Sequence, residues 1–202
     1  MTPMLGAPLV VVVAAYLVGT FPTAALIGRV TGHDPTAEGS GNPGATNVLR
    51  TSGRWAGAAV LAVDVAKGAL AAGLGLLVGD HTLGVIAGAA AVLGHVAPVS
   101  RRFRGGKGVA TAAGASAVVF PVLSLILGVV FVITVAITRR VSVGSLVLAL
   151  LLPVGVALGG WSGIEVLVTA GVSLVVIARH HENIRRLIRR EEAPVLRAGE
   201  SS

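Results

Sequence analysis

The 202-residue chain contains no cysteine, so disulfides, thiolate chemistry and Cys-based metal sites are excluded. Aromatics make up 3% of it and charged residues 12%, about half the usual share of a soluble domain. Basic residues outnumber acidic ones by 16 to 9. The N-terminal MTPMLGAPLVVVVAAYLVGT lacks a basic leader and reads as a first span rather than a cleaved signal peptide. What the chain has in abundance is apolar residues, at 54%, with a mean hydropathy of +0.87. Several of its runs approach the ~20 residues that cross a bilayer. These features predict an all-α polytopic membrane helix bundle, one domain over residues 1–202.

Hydropathy predicts about seven spans, near 5–28, 55–78, 82–99, 107–119, 121–138, 143–159 and 161–179. Pro121 divides the fourth from the fifth, because proline cannot continue the helical ladder. The basic residues agree with this count. Arg29, Arg50 and Arg54 flank the first loop, and Arg101, Arg102, Arg104 and Lys107 fill the third. Arg139 and Arg140 follow the fifth span. Arg179, Arg185, Arg186, Arg189, Arg190 and Arg197 follow the seventh. All fifteen then share one face, and the rule that cytoplasmic loops are enriched in Lys and Arg predicts an outside N-terminus and a cytoplasmic C-terminus. Residues 190–202 read as a flexible cytoplasmic tail. The net charge of +7 therefore reports topology, and no nucleic-acid partner is expected.

Four polar clusters fall on that face. GSGNPGATNVLR (39–50) offers glycine amides for an anionic oxygen, hydroxyls and amides from Ser40, Asn42, Thr46 and Asn47, and the fork of Arg50. GHVAPVSRRFRGGKGVAT (94–111) leads glycines and Lys107 into an apolar helix, an arrangement suited to anions. It does not match a Walker A loop, because Gly108 follows the lysine. TRRVSVGSLV (138–147) supplies Ser142 and Ser145, and ARHHENIRRLIRREE (178–192) supplies His180 and Asn183 on one helix face. His180 and His181 are adjacent and point apart, so neither a metal nor a cofactor is expected. Asp64 and Lys67 stand alone inside the second span at i, i+3, where unpaired charge is costly, and read as an ion pair or a coupling path. His95 reads as a hydrogen-bonded structural histidine.

The parts together describe a site for one or two phosphates at a membrane surface, where a lipidic substrate would explain the location. The clusters resemble the bacterial acyl-phosphate-dependent glycerol-3-phosphate acyltransferases, the PlsY family. Its GSGNxGATNxxR pattern is met from Gly39 to Arg50, with Pro43 at the variable place. Its GHxxPxxxxFKGGKGVAT is met from Gly94 to Thr111, with Arg104 at the first lysine position. Its HRxNIxRLxxGxE is met by His180, Asn183, Ile184, Arg186, Leu187 and Glu192, with His181 at the arginine place and Arg190 where glycine is usual.

The resemblance implies transfer of a fatty acyl group from acyl phosphate to the 1-hydroxyl of sn-glycerol 3-phosphate. The products are lysophosphatidate and inorganic phosphate, in the first acylation of bacterial phospholipid synthesis at the inner membrane. The site residues then expected are Ser40, Asn42, Arg50, Lys107, His180 and Asn183 as catalytic. Gly39, Gly41, Gly44, Thr46, Asn47, Gly105, Gly106, Gly108 and Ser145 are expected to bind substrate. The HxxxxD signature of other acyltransferases is absent: five residues after His33 stands Glu38. A rival reading is a small transporter for a phosphorylated or anionic solute. The lack of internal duplication and the one-sided polar residues oppose it.

Overall fold

A computed structural model describes residues 6–195. The helices are α1 (Gly6–Gly19), α2 (Thr23–Thr31), α3 (Ala45–Ser52), α4 (Arg54–Val78), α5 (His81–Val96), α6 (Val109–Val119), α7 (Pro121–Thr138), α8 (Val141–Leu158), α9 (Gly163–Arg179) and α10 (His181–Ile188). No strand occurs among the described residues. Each apolar run expected to span is helical, and Pro121 opens α7 after a break at Phe120. Arg197 lies outside the described residues, as does most of the stretch expected as a tail.

The bundle has two unlike ends. At one, the turns 79–82, 119–120 and 159–165 meet. His81 uses both ring nitrogens, on Glu165 Oε1 at 2.6 Å and on the Val119 carbonyl at 2.7 Å. Thr82 Oγ1 donates to the same Glu165 oxygen. Ser162 and Glu165 form a reciprocal capping box at the start of α9. Phe120 packs edge-on between His81 and Trp161. None of these turns carries Lys or Arg. At the other end, loops 34–47, 99–108, 139–142 and 179–195 touch one another and carry the arginines. The chain passes between the ends with α1–α2, α4, α5, α6, α7, α8 and α9.

Five of these passes are long and apolar enough to cross a membrane alone: Gly6–Thr31, Arg54–Val78, His81–Arg101, Pro121–Thr138 and Val141–Leu158. Gly163–Arg179 qualifies only with His181–Ile188, across a 57° bend. The expected fourth span is the exception. Its helix α6 has eleven residues and rises about 16 Å, half of a bilayer core.

Small residues explain how α6 still fills its place. A Cβ on Gly68 of α4 would strike the Thr111 carbonyl, and one on Gly114 of α6 would strike the Val65 carbonyl. The two backbones are in direct contact, as small residues allow where lipid offers no hydrophobic drive. Thr111 is thereby level with Gly68, some fourteen residues into α4, about 20 Å along its axis. The loop before α6 dips into the bundle, and the polar groups on it are recessed.

Candidate active site

The recess is a chamber of about 280 Å³. Ser40, Asn42, Gly44, Thr46, Asn47, Arg50, Lys107, Gly108, Ser145, His180 and Asn183 all line it. Four remote sequence clusters thus converge on one space. Its inner wall is continuous with an apolar chamber of about 370 Å³ between α6, α7, α8 and α9, through Val109, Ala113, Gly128, Ser145 and Leu148. Its outer side meets a cleft of about 670 Å³ lined by Arg101, Arg102, Arg104, Arg179 and Arg186. A polar pocket therefore has a cationic approach on one side and an oily one on the other.

The electrostatic centre is Lys107. Its Nζ donates to Asn183 Oδ1. Burial pushes its pKa down to about 8; Glu192 pulls it up, and Arg186, Arg179 and Arg50 push it down. Asn183, 5% exposed, donates from Nδ2 to Glu192 Oε1 at 2.6 Å. Ser142 Oγ donates to the same oxygen at 2.8 Å, and Arg186 Nε to Oε2 at 2.6 Å. Glu192 is therefore a hub. Burial pushes its carboxyl up, but the hydrogen bonds from Arg186, Asn183 and Ser142 outweigh burial and hold it below the ordinary carboxylate value.

His180 is 2% exposed and sits at the bend between α9 and α10. Its Nδ1–H donates to the Val176 carbonyl of the preceding turn at 2.7 Å. In the neutral ring Nε2 is then an acceptor. Ser145 Oγ donates to the Val141 carbonyl at 2.9 Å and keeps its lone pairs for another partner.

Several residues expected to bind substrate have their polar groups engaged within the fold. Asn47 is 2% exposed, and its amide is spent inside the loop: Oδ1 accepts from the Ser40 N–H, while Nδ2 donates to the Pro35 and Glu38 carbonyls. Gly39 does not line the chamber. It has φ +62°, and a Cβ there would collide with Asn47 Oδ1. It is glycine to admit that amide. The N–H groups of Ser40, Gly41 and Gly44 go to Asn47 Oδ1 and to the Glu38 and Asn42 carbonyls. The expected nest of glycine amides is thus mostly occupied, and the polar groups this loop turns to the chamber are the side chains of Ser40, Asn42, Thr46 and Arg50.

The backbone groups of Gly105 and Gly106 are likewise engaged within the fold. Their N–H groups donate to the Val96 and His95 carbonyls, capping α5, and their carbonyls accept from Arg179. Gly41 and Gly105 line the outer cleft only. Gly108, with φ +84°, turns the chain into α6, whose first residues Val109 and Ala110 line the chamber. Lys107 and this helix start therefore face the same space.

The stretch 190–195 is not a loose tail. Arg50 Nη2 donates to the Ala193 and Pro194 carbonyls, Arg140 Nε to the Glu192 carbonyl, and the Val195 N–H to the Arg139 carbonyl. It forms a strap across the chamber. Arg190 lies in the left-handed region at φ +60°, so the turn favoured by glycine survives with a bulkier residue. Residues 196–202, also expected in the tail, lie outside the described residues. Sequence reasoning missed Glu192 as a hub, although its place ending the third motif marked it.

A family model described as "Glycerol-3-phosphate acyltransferase" matches residues 9–190. A glycerol-3-phosphate acyltransferase of Shewanella loihica is 46% identical over 194 residues, covering 94% of this chain and 93% of its own. That of Shewanella oneidensis is 44% identical over 193 residues, with the same coverage. Two crystal structures of PlsY (YgiH), an integral membrane glycerol 3-phosphate acyltransferase, superpose at 33% identity. The glycerol 3-phosphate form gives a TM-score of 0.90, covering 94% of this chain and 96% of that one. The lysphosphatidic acid form gives 0.87, covering 94% and 95%.

Proposed function

The chain belongs to the PlsY family of integral membrane glycerol-3-phosphate acyltransferases, and from that premise we propose an acyl phosphate as its donor and lysophosphatidate and inorganic phosphate as its products. The observation that carries this reading is the junction of the two chambers. The polar one holds Lys107, Ser40, Asn42, His180 and Asn183, and the apolar one is walled by α6 to α9. A donor with a fatty chain and a phosphate head spans the junction. Its carbonyl carbon then lies near Ser145 and Val109, which border both chambers.

Lys107, held by Asn183, and Arg50 take the phosphate of glycerol 3-phosphate. Ser40 and Asn42 take the phosphoryl group of the donor. The 1-hydroxyl oxygen attacks the acyl carbonyl carbon, and the bond from that carbon to the phosphate oxygen breaks. The hydroxyl proton goes to the departing phosphate, the nearest strong acceptor. His180 Nε2 accepts a glycerol hydroxyl and orients it. Holding both reactants in line is worth up to ~7–11 kcal/mol in favourable systems. The arginine-bearing end faces the cytoplasm of the cell's inner membrane in this reading. The opposite end is closed by the His81–Glu165 knot and the Phe120–Trp161 pair, which opposes the transporter reading.

The test is purified protein with palmitoyl phosphate and glycerol 3-phosphate. Stoichiometric release of phosphate and 1-acyl-glycerol 3-phosphate is expected. Acylation from palmitoyl-CoA alone, with none from palmitoyl phosphate, overturns the assignment of the donor. Solute uptake into vesicles without phosphate release favours transport.

A further inference from the structure

Beside the donor end of the chamber lies a buried polar cluster that the scheme above leaves unused. Asp64 and Lys67 stand one turn apart on α4, their side chains 3% and 6% exposed, with Lys67 Nζ 2.8 Å from Asp64 Oδ1. Thr23 Oγ1 donates to the same oxygen at 3.0 Å. Lys67 Nζ also donates to the Phe21 carbonyl at 3.1 Å and the Gly19 carbonyl at 3.4 Å, at the end of α1. The pair is thus fully compensated within the bundle, as burial requires. Its fourth neighbour is His95 Nδ1, at 3.3 Å.

An ammonium group only donates, so His95 Nδ1 accepts. The neutral ring therefore carries its proton on Nε2. Asp64 Oδ1, 3.7 Å from Nδ1, is too far to compete for a proton there. Nε2 lies directly against Gly106, where a Cβ would collide with it. The side chain is 9% exposed, and that exposure opens into the polar chamber and into a crevice shared with Pro43, Asp64 and Gly106. Among the described residues, Nε2 has no hydrogen-bond partner.

We propose that His95 is a further substrate-contacting residue: its Nε2–H donates to an oxygen of the acyl-phosphate head seated between Gly106 and the Ser40–Pro43 loop. Asp64 and Lys67 are positioning residues that hold the ring in this tautomer. The proposal rests on the acyl-transfer reading. It gives the buried ion pair a task other than an ion path, and it explains the absence of a side chain at residue 106. The histidine ring occupies that space and reaches the chamber past bare backbone.

Steady-state kinetics of the purified protein with palmitoyl phosphate test it. His95→Ala is expected to lower kcat/KM for palmitoyl phosphate by about 10- to 100-fold, the loss of one charge-assisted donor. KM for glycerol 3-phosphate should stay within about twofold. His95→Gln places an amide N–H near the same point and should restore most of the loss. In the wild type, 15N ring shifts of His95 in detergent should report the Nε2–H tautomer, and Lys67→Met should convert it to Nδ1–H, bonded to Asp64. An Nδ1–H ring in the wild type overturns the positioning role. Equal losses for both substrates in His95→Ala, unrescued by glutamine, or no loss at all, overturn the contact. An inactive wild type instead refutes the acyl-transfer reading itself, and the tautomer measurement still decides the Lys67 arrangement.

Discussion

Lys107 and Asn183 stand 76 residues apart in the chain, and the lysine ammonium rests on the asparagine carbonyl oxygen. Asn183 is fixed in turn by Glu192. The cation that we assign to the acceptor phosphate is thus aimed by a neutral amide and a buried carboxylate behind it. Asn183→Ala should leave Lys107 unaimed and remove one donor from Glu192. We expect KM for glycerol 3-phosphate to rise about tenfold and stability to fall by about 1–3 kcal/mol. Asn183→Asp should be worse at neutral pH, since it sets a carboxylate against Glu192. The comparison is made by kinetics and thermal melts in detergent.

The lowered pKa of Lys107 predicts an alkaline limit. Below about 8 the ammonium is present in the free enzyme, and above it the charge is lost. The phosphate of the acceptor becomes a dianion above about 6. So kcat/KM for glycerol 3-phosphate should rise to a plateau between these values and fall toward about tenfold per pH unit above them. Lys107→Arg keeps its charge throughout and should abolish the alkaline fall while lowering the plateau. A wild-type profile flat to well above the lysine value contradicts this.

Glu192 predicts acid sensitivity. Its carboxyl titrates below the ordinary value in the folded protein. Its contribution to stability is therefore complete above the ordinary value of about 4.3 and is lost as pH falls through the lower folded value. Glu192→Gln should cost about 1–3 kcal/mol at neutral pH and flatten the acid side of the stability curve. Thermal melts across that range check both points.

Arg190 holds a left-handed conformation that costs a non-glycine residue about 1–2 kcal/mol. Arg190→Gly should remove that strain, less the greater freedom glycine has when unfolded. A rise in thermal midpoint of about 2 °C is expected. KM for glycerol 3-phosphate should be unchanged, because Arg190 does not line the chamber.

Much of this was legible in the sequence for physical reasons. Apolar runs of sufficient length declare their helices, and Pro121 declared its break. Arginines concentrated in alternate loops declared a common end, where loops 39–47, 102–108 and 180–192 do meet. What stayed hidden depends on tertiary neighbours. A glycine amide reads as free until its acceptor is known, and Gly105 and Gly106 spend theirs on α5. Asn47 reads as a ligand donor until three backbone groups surround it. The recess of α6 follows from the Gly68–Thr111 contact, which no local pattern encodes. The strap at 191–195 was masked by its polar composition, which resembles a tail. Its anchors, Arg50 and Arg140, lie far away in the chain.

The central claim is that one cavity grips two phosphates, with Lys107 assigned to that of glycerol 3-phosphate. Phosphate release by Lys107→Met, with each substrate varied in turn, tests it most directly. A fall in kcat/KM for glycerol 3-phosphate of about 10- to 100-fold or more, with KM for palmitoyl phosphate little changed, is the predicted result. Unaltered use of glycerol 3-phosphate by a folded Lys107→Met protein would contradict the account.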